Sequence, residues 1–587
     1  MQTYDPPVAE YRFLFETFDY ASRVANLPGL GDYDLETVLA LIEQCGTFSK
    51  ERLLPLNKIG DTEGVKFDPQ TGAVTTPPGF AACYKALCAD GYLSMAAPAA
   101  VGGGGAPRLL GAVFDELFLA TNKSFSMILG LSHGLVEALC DHGSEEQKQR
   151  FLPKLISGEW SGTMCLTEPQ CGTDLGLVTT KAIPEGDHYR LTGTKIWITY
   201  GEHDFTEHIV HLVLARLPDA PEGIKGISVF VVPKRLEDGS MNGVTCGGLE
   251  HKMGIHASPT CVINLENSIG YLVGEPHRGM KAMFTMMNAA RLMVSMEGIA
   301  LGEISYQTAL AYAKDRRQSR ALNPARSDAN AKADNILVHP DVRRMLLNQK
   351  STNQAMRALA VFTGMMLDRA HLHADAEEKQ RADDLVALLT PVLKSFCTER
   401  GFFNTSEAMQ VCGGSGYTKD WSIEQYLRDA RIAMIYEGTN HIQALDLVGR
   451  KLPRGGGRLY QEFAKLMGAT LEAMENDEAT KDLHADFKWA TDLLHETTMT
   501  LSIEGMSDPE WAGAVASNYL NMFGYVACAW AWVEMAKAAH GVDGPFYSGK
   551  AKLARYYFRH VLPEIAALQR VVAAGKERMM AFEVDEL

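Results

Sequence analysis

Apolar residues recur every three to four positions through residues 1–162, as in Tyr33-Asp34-Leu35-Glu36-Thr37-Val38-Leu39-Ala40-Leu41, and this spacing predicts a domain of amphipathic helices. The stretch Ala99 to Pro107, with four consecutive glycines, interrupts it and reads as a loop. Between 163 and 280 the pattern shortens to alternating or β-branched runs such as His208–Leu214 and Ile227–Val232, divided by Gly, Pro and Asp. That predicts an antiparallel sheet or β-barrel domain. Helical spacing returns over 281–450, where Val342–Asp368 and Ala382–Asn404 are long enough for an antiparallel bundle. Pro453-Arg454-Gly455-Gly456-Gly457 reads as a linker to a separate helical extension, 451–587. The expected fold class is mainly α with a central β-barrel domain and an extra C-terminal helical domain.

A chain of 587 residues exceeds one core and can enclose a cofactor. The net charge of -16 argues against a nucleic-acid binder, which concentrates Lys and Arg on one face. Eleven cysteines without C-x-x-C pairs read as reduced thiols, and Cys165 and Cys171 as small packing residues. The opening MQTYDPPVAEYRF has no basic start or apolar core of signal-peptide type, and no apolar run approaches the ~20 residues of a membrane span. A soluble, cytoplasmic protein is expected.

Three segments carry candidate chemistry. From Met164 the chain reads MCLTEPQCGTDLGLVTTKA, from Leu191 LTGTKIWITYG, and from Arg428 RDARIAMIYEGTNHIQAL. A Glu before Gly at a helix end is also a common solvated terminus, so Glu437 alone says little. The order T-E-P-x-x-G-[ST]-D, then G-x-K-x-W-I-T, then Y-E-G-T resembles the acyl-CoA dehydrogenase family. The resemblance implies that family's fold with an extra C-terminal helical domain, FAD as cofactor, and desaturation of an acyl-CoA thioester to a trans-2-enoyl-CoA.

Residue by residue, the resemblance implies that Leu166, Thr167, Gly172 and Thr173 contact the isoalloxazine, its neighbouring phosphates or the substrate thioester. Trp197 and Thr199 match the pair covering the flavin face. Arg316 corresponds to the arginine reaching the FAD pyrophosphate, although Ser319-Arg320 replaces the usual aromatic-glycine pair. Gln410, Gly413 and Gly414 match a turn that accepts the adenosine part of FAD from a neighbouring subunit, and Thr439 follows as a further cofactor contact. Arg291 matches an arginine that binds the CoA moiety; Asn288 stands where Asp is frequent, and Tyr436 and Gly438 flank the base on the substrate side. Some relatives place their base where this chain has Ala290, which cannot serve, so Glu437 is the expected base. It would take the α-proton while hydrogen-bond donors stabilise the developing enolate.

The N-terminal Tyr4-Asp5-Pro6-Pro7 and the extension are similar to a larger bacterial subfamily that includes 3-methylmercaptopropionyl-CoA dehydrogenases and long-chain relatives. The substrates so implied are 3-methylmercaptopropanoyl-CoA or a medium- to long-chain fatty acyl-CoA, with electron-transfer flavoprotein as acceptor and a homodimer or homotetramer as assembly. Two rivals share the scaffold. An acyl-CoA oxidase would admit oxygen to the flavin, and a non-catalytic DNA-associated flavoprotein would need a basic C-terminal surface, against which stand 14 Lys+Arg and 19 Asp+Glu after residue 450. No dinucleotide fingerprint appears. Gly544-Pro-Phe-Tyr-Ser-Gly-Lys550 falls short of a phosphate loop because Ala551 replaces Ser or Thr and a helix-like segment precedes it. His203, His208 and His211, or His371 and His373, lack zinc spacing, so no metal is expected.

Overall fold

The computed structural model describes residues 2–587, the side chains at 288 and 289 excepted. The chain opens with helices α1 (Val8–Thr17), α2 (Leu35–Phe48) and α3 (Leu54–Glu63), the ribbon β1 (Lys66–Phe67) and β2 (Val74–Thr75), then α4 (Phe80–Ala89), α5 (Arg108–His142) and α6 (Glu145–Ser157). Helix starts follow local chemistry. Ser144 and Gln147 close a reciprocal capping box at α6. Helix α5 kinks at the buried Asn122 (φ -158°, ψ 85°), whose side chain accepts the N–H of Phe125 at 3.1 Å and so caps the second half. The glycine loop folds against residues 94–98, and a Cβ on Gly103 would lie 2.1 Å from the carbonyl oxygen of Ala97.

The sheet follows: β3 (Trp160–Cys165), β4 (Lys181–Glu185), β5 (His188–Thr199), β6 (His208–Arg216), β7 (Ile227–Pro233), β8 (Val244–Leu249) and β9 (Thr260–Leu272). Its order is β3-β6-β4-β5-β9-β7, with β8 on β9, and β7 also pairs with β6, so the pairing path returns to its second strand. The sheet is mixed, not purely antiparallel, because β3 and β4 both run parallel to β6. Strands β6 and β7 are almost wholly buried because their alternate residues feed different cores. Val210, Leu212 and Leu214 pack with Leu135, Leu139 and Phe151 of the helices; Val213, Ala215 and Phe230 pack with Leu191, Ile198 and Ile263. This explains why the runs read as apolar throughout rather than alternating. Together, Gln44–Met293 form one compact unit.

The other unit joins the first 43 residues to Val294–Leu587. It holds α7 (Gly279–Asp315) from Val294 onward and the long helices α8 (Pro340–Leu372) and α9 (Ala376–Cys412); α9 starts at Asp375, whose side chain accepts the N–H groups of Glu377 and Glu378. Short α10 (Gly414–Tyr417), α11 (Ile423–Arg431) and α12 (Asn440–Asp446) lead to the extension, α13 (Arg458–Met474), α14 (His484–Ser507), α15 (Pro509–Ala539), α16 (Pro545–Tyr556) and α17 (Glu564–Ala573). The extension packs directly on α8 and α9. Val526 to Val533 of α15 are buried on every side, Trp532 Nε1 donates to the Ser351 carbonyl of α8 at 3.1 Å, and Arg458 pairs with Asp384 of α9 at 2.6 Å. Lys550, from the motif that resembled a phosphate loop, is buried, ion-paired to Glu10 of α1 and stacked on Phe13 and Phe546. Its ammonium therefore fastens the two chain ends together and is closed to a phosphate.

Candidate active site

The loop after β3 is organised by a buried ion pair. Glu168 accepts Lys195 Nζ at 2.8 Å, the N–H groups of Thr179 and Thr180 at 2.8 and 3.0 Å, and both threonine hydroxyls. Burial works to raise the Glu168 carboxyl, but the Lys195 charge and these hydrogen bonds overcome it and hold the group down at about 2. Lys195 Nζ also donates to the Leu166 carbonyl at 3.0 Å, and the N–H of Ile196 to that of Thr167 at 2.9 Å. The β3 loop is thereby stitched to β5. There β5 shifts register against β9 between Lys195 and Ile198, and inside this bulge Trp197 adopts φ +61° and is 59% exposed. A large aromatic that is both left-handed and solvent-facing is costly, which marks a position kept for something other than packing. Thr199 pairs with Thr260, and Tyr200 (φ +51°) is anchored by its hydroxyl to the Ser124 carbonyl at 2.8 Å. Leu166, Thr167, Trp197 and Thr199 thus come together, while Gly172 and Thr173 lie exposed at the tip of the same loop. Arg291 is buried on α7; the Asn288 side chain lies outside the described residues.

In the helical unit Glu437 follows a short 3-10 turn after α11 and adopts φ +55°, with Gly438 at φ +83°. Neighbouring groups hold this left-handed turn. Lys394 of α9, fully buried, donates to the Gly438 carbonyl at 2.8 Å and to Asn440 Oδ1 at 3.1 Å. Gln443 reaches back to the Glu437 and Gly438 carbonyls at 3.2 and 3.3 Å, and Thr439 caps α12 by accepting the N–H of Ile442. The Tyr436 hydroxyl lies 2.6 Å from both carboxyl oxygens of Glu297. Burial first, then the charge and hydrogen bond of Glu297, push that phenol far above its ordinary value.

A third cluster lies at the helix ends. Gly413, at φ +57° and ψ -143°, ends α9 in a conformation open to glycine, and a Cβ on Gly413 or Gly414 would meet nothing within 4 Å. Gln410 is exposed beside them. Tyr312, one turn before the exposed Arg316, is 3.4 Å from Ser415 Oγ and stacks edge-on with Trp421 at 5.0 Å, which brings the end of α7 to the glycine turn. His203 and His211 are instead buried in the sheet unit, bonded to Ser161 and Thr163. Lys195 stands in the G-x-K-x-W-I-T motif without an assigned role, and Lys394 and Glu297 stand in no motif. Their signal was a single charge inside an apolar run, as in Val294-Ser295-Met296-Glu297-Gly298-Ile299.

Models of the acyl-CoA dehydrogenase N-terminal, middle and C-terminal domains match residues 37–159, 163–268 and 277–452, and an acetyl-CoA dehydrogenase C-terminal-like model matches 463–583. The 3-methylmercaptopropionyl-CoA dehydrogenase of Ruegeria pomeroyi is 41% identical over 582 residues, 96% of this chain and 97% of the relative. The chain belongs to the acyl-CoA dehydrogenase family. Like other acyl-CoA dehydrogenases it is a flavoprotein oxidoreductase that acts on CH–CH bonds of acyl-CoA and uses FAD. Its fold is shared with Caenorhabditis elegans ACDH-11 in complex with C11-CoA (TM-score 0.82, 19% identity, 99% and 96% of the two chains) and with a Bacillus anthracis acyl-CoA dehydrogenase complexed with FAD (TM-score 0.75, 22% identity, 93% and 90%). Residues in each unit fit parts of such a cofactor: in the sheet unit an exposed indole held in a bulge offers a ring face, and in the helical unit the open glycine turn offers backbone and the exposed Arg316 a forked cation to phosphate. No helix among the described residues is long and apolar enough to cross a membrane.

Proposed function

We propose that Glu437 is the base of an acyl-CoA α,β-desaturation whose substrate is a short, sulfur-containing thioester, 3-methylmercaptopropanoyl-CoA. The observation that carries the base is the left-handed Glu437-Gly438 turn, pinned by Lys394 and Gln443. A non-glycine residue at φ +55° is sustained only where its surroundings over-determine it, and such strain concentrates at reacting positions. The Glu437 carboxylate takes the α-proton, the Cα–Cβ double bond forms, and the β-hydrogen leaves with its electron pair. FAD, when bound, supplies the hydride acceptor. Leu166, Thr167, Gly172, Thr173, Trp197 and Thr199 would hold its flavin end. Arg316, Gln410, Gly413, Gly414 and Thr439 would hold the rest, the exposed glycine turn doing so across a subunit interface in a homodimer or homotetramer.

Arg291, Asn288, Tyr436, Gly438 and Thr173 would meet the acyl-CoA, and electron-transfer flavoprotein would reoxidise the enzyme. The substrate reading is supported by the 41% identity to the Ruegeria enzyme across nearly its whole length. It is tested by anaerobic bleaching of the flavin band with butanoyl-, octanoyl-, palmitoyl- and 3-methylmercaptopropanoyl-CoA. The methylmercapto thioester should bleach the flavin fastest at equal concentration. A faster octanoyl or palmitoyl reaction would reassign the enzyme to fatty acyl chains.

A further inference from the structure

We infer that Glu297, on the buried face of α7, is a positioning residue that acts through Tyr436 to fix the turn carrying Glu437. The inference rests on the reading of Glu437 as the base. Glu297 is fully buried in the middle of an apolar helical stretch. A carboxyl group there is costly to desolvate and persists where it is hydrogen-bonded to something that needs it. The Tyr436 hydroxyl, with one hydrogen to give, lies 2.6 Å from both Glu297 carboxyl oxygens and is held by a short hydrogen bond shared between them.

The frame behind it is rigid. Gly298, the next residue, lies against the backbone of α9 so closely that a Cβ would sit 2.1 Å from the Cys397 carbonyl oxygen; one on Gly401 would sit 2.3 Å from that of Gly298. Helix α9 is also the source of Lys394, which grips the Gly438 carbonyl from the other end. The residues flanking Glu437 are therefore each tied to one of two helices locked at a glycine crossing: Tyr436 to α7 through Glu297, and Gly438 to α9 through Lys394. Between two fixed neighbours the left-handed conformation at Glu437 has no room to relax toward the ordinary helical region, where its carboxylate would point elsewhere.

The test uses the FAD-loaded enzyme and the anaerobic bleaching rate at saturating and sub-saturating acyl-CoA, with flavin content and melting temperature measured on every variant. Glu297→Ala and Tyr436→Phe should each slow bleaching at saturation about tenfold per bound flavin, and Glu297→Ala should change the half-saturating concentration less than twofold. The double variant should be no slower than either single one, because both cut the same link. Glu297→Gln keeps an acceptor for the Tyr436 hydroxyl and should restore most of the rate. Tyr436→Phe carries the test if the alanine variant fails to fold. Wild-type rates per flavin in Glu297→Ala or Tyr436→Phe, losses that multiply in the double variant, or no rescue by glutamine would overturn the inference. Glu437→Gln separates the two levels. If it bleaches like wild type the base assignment itself falls, whereas if it is inert while Glu297→Ala is normal, the inference alone fails.

Discussion

Replacing Lys195 by Met removes the only charge on the β5 side of a pair buried to 0% and 2% side-chain exposure. The Lys195 charge, together with the hydrogen bonds from Lys195, Thr179 and Thr180, holds the Glu168 carboxyl at about 2 against an ordinary 4.5. A displacement of that size corresponds to about 3 kcal/mol of stability at neutral pH. Breaking a buried pair from one side costs a similar ~3–5 kcal/mol, since the remaining carboxylate keeps its desolvation penalty. For a unit the size of Gln44–Met293, each kcal/mol moves the midpoint by roughly 2–4 °C, so a fall of about 6–12 °C is expected. The same change frees the Leu166 carbonyl and loosens the stitch between the β3 loop and the Trp197 bulge, so flavin should leave the variant more readily. Melting followed by circular dichroism and by the fluorescence of released flavin measures both. Because the folded carboxyl is depressed, the wild-type contribution is present above pH 4.5 and is lost as pH falls from 4.5 toward 2, so the gap between the proteins should be level from pH 5 to 8. A variant that melts within 1 °C of wild type and retains its flavin would refute the reasoning.

Three other perturbations have defined outcomes. Burial holds His203 and His211 down at about 3, so the unfolded chain binds protons first as pH falls below about 6.5; stability should decline from there toward pH 3, by about 4 kcal/mol from the pair at pH 5, and His203→Gln/His211→Gln should flatten urea midpoints measured between pH 6.5 and 4.5. Lys550→Met leaves Glu10 buried without its partner and should cost ~3–5 kcal/mol in denaturant titrations, whereas a loss below 1 kcal/mol would mean the chain ends are held by packing alone. Gly413→Ala strains the α9 terminus by ~1–3 kcal/mol without a clash, and it should release flavin on dialysis while the apoprotein keeps its fold; full flavin retention would count against the glycine turn as part of the cofactor site.

The helical and sheet regions were legible because periodicity reports burial: α5, α8 and α9 show it over many turns, and β6 and β7 are bounded by Gly, Pro and Asp. Parallel pairing of β3 with β6 was not legible, since both strands read as apolar runs and register depends on partners distant in sequence. Nor was the merging of the extension with the bundle. The Pro453–Gly457 run looks like a flexible linker, yet ion pairs that bridge it, Arg458–Asp384 and the buried Lys550–Glu10, join distant segments that no local pattern connects. Motif order pointed to Trp197 and Glu437. It could not show that both sit at positive φ, because the bulge depends on the register of β5 against β9 and the turn is held by Lys394 from a distant helix together with Gln443.

Anaerobic bleaching of the flavin by acyl-CoA in wild type and Glu437→Gln, matched for flavin content and melting temperature, tests the central claim most directly. The amide occupies the same volume but cannot take the α-proton. The account predicts rapid bleaching in the wild type and a rate lower by at least about a thousandfold in the variant, with acyl-CoA still bound. Bleaching of Glu437→Gln within tenfold of wild type would contradict it and move the base to another residue.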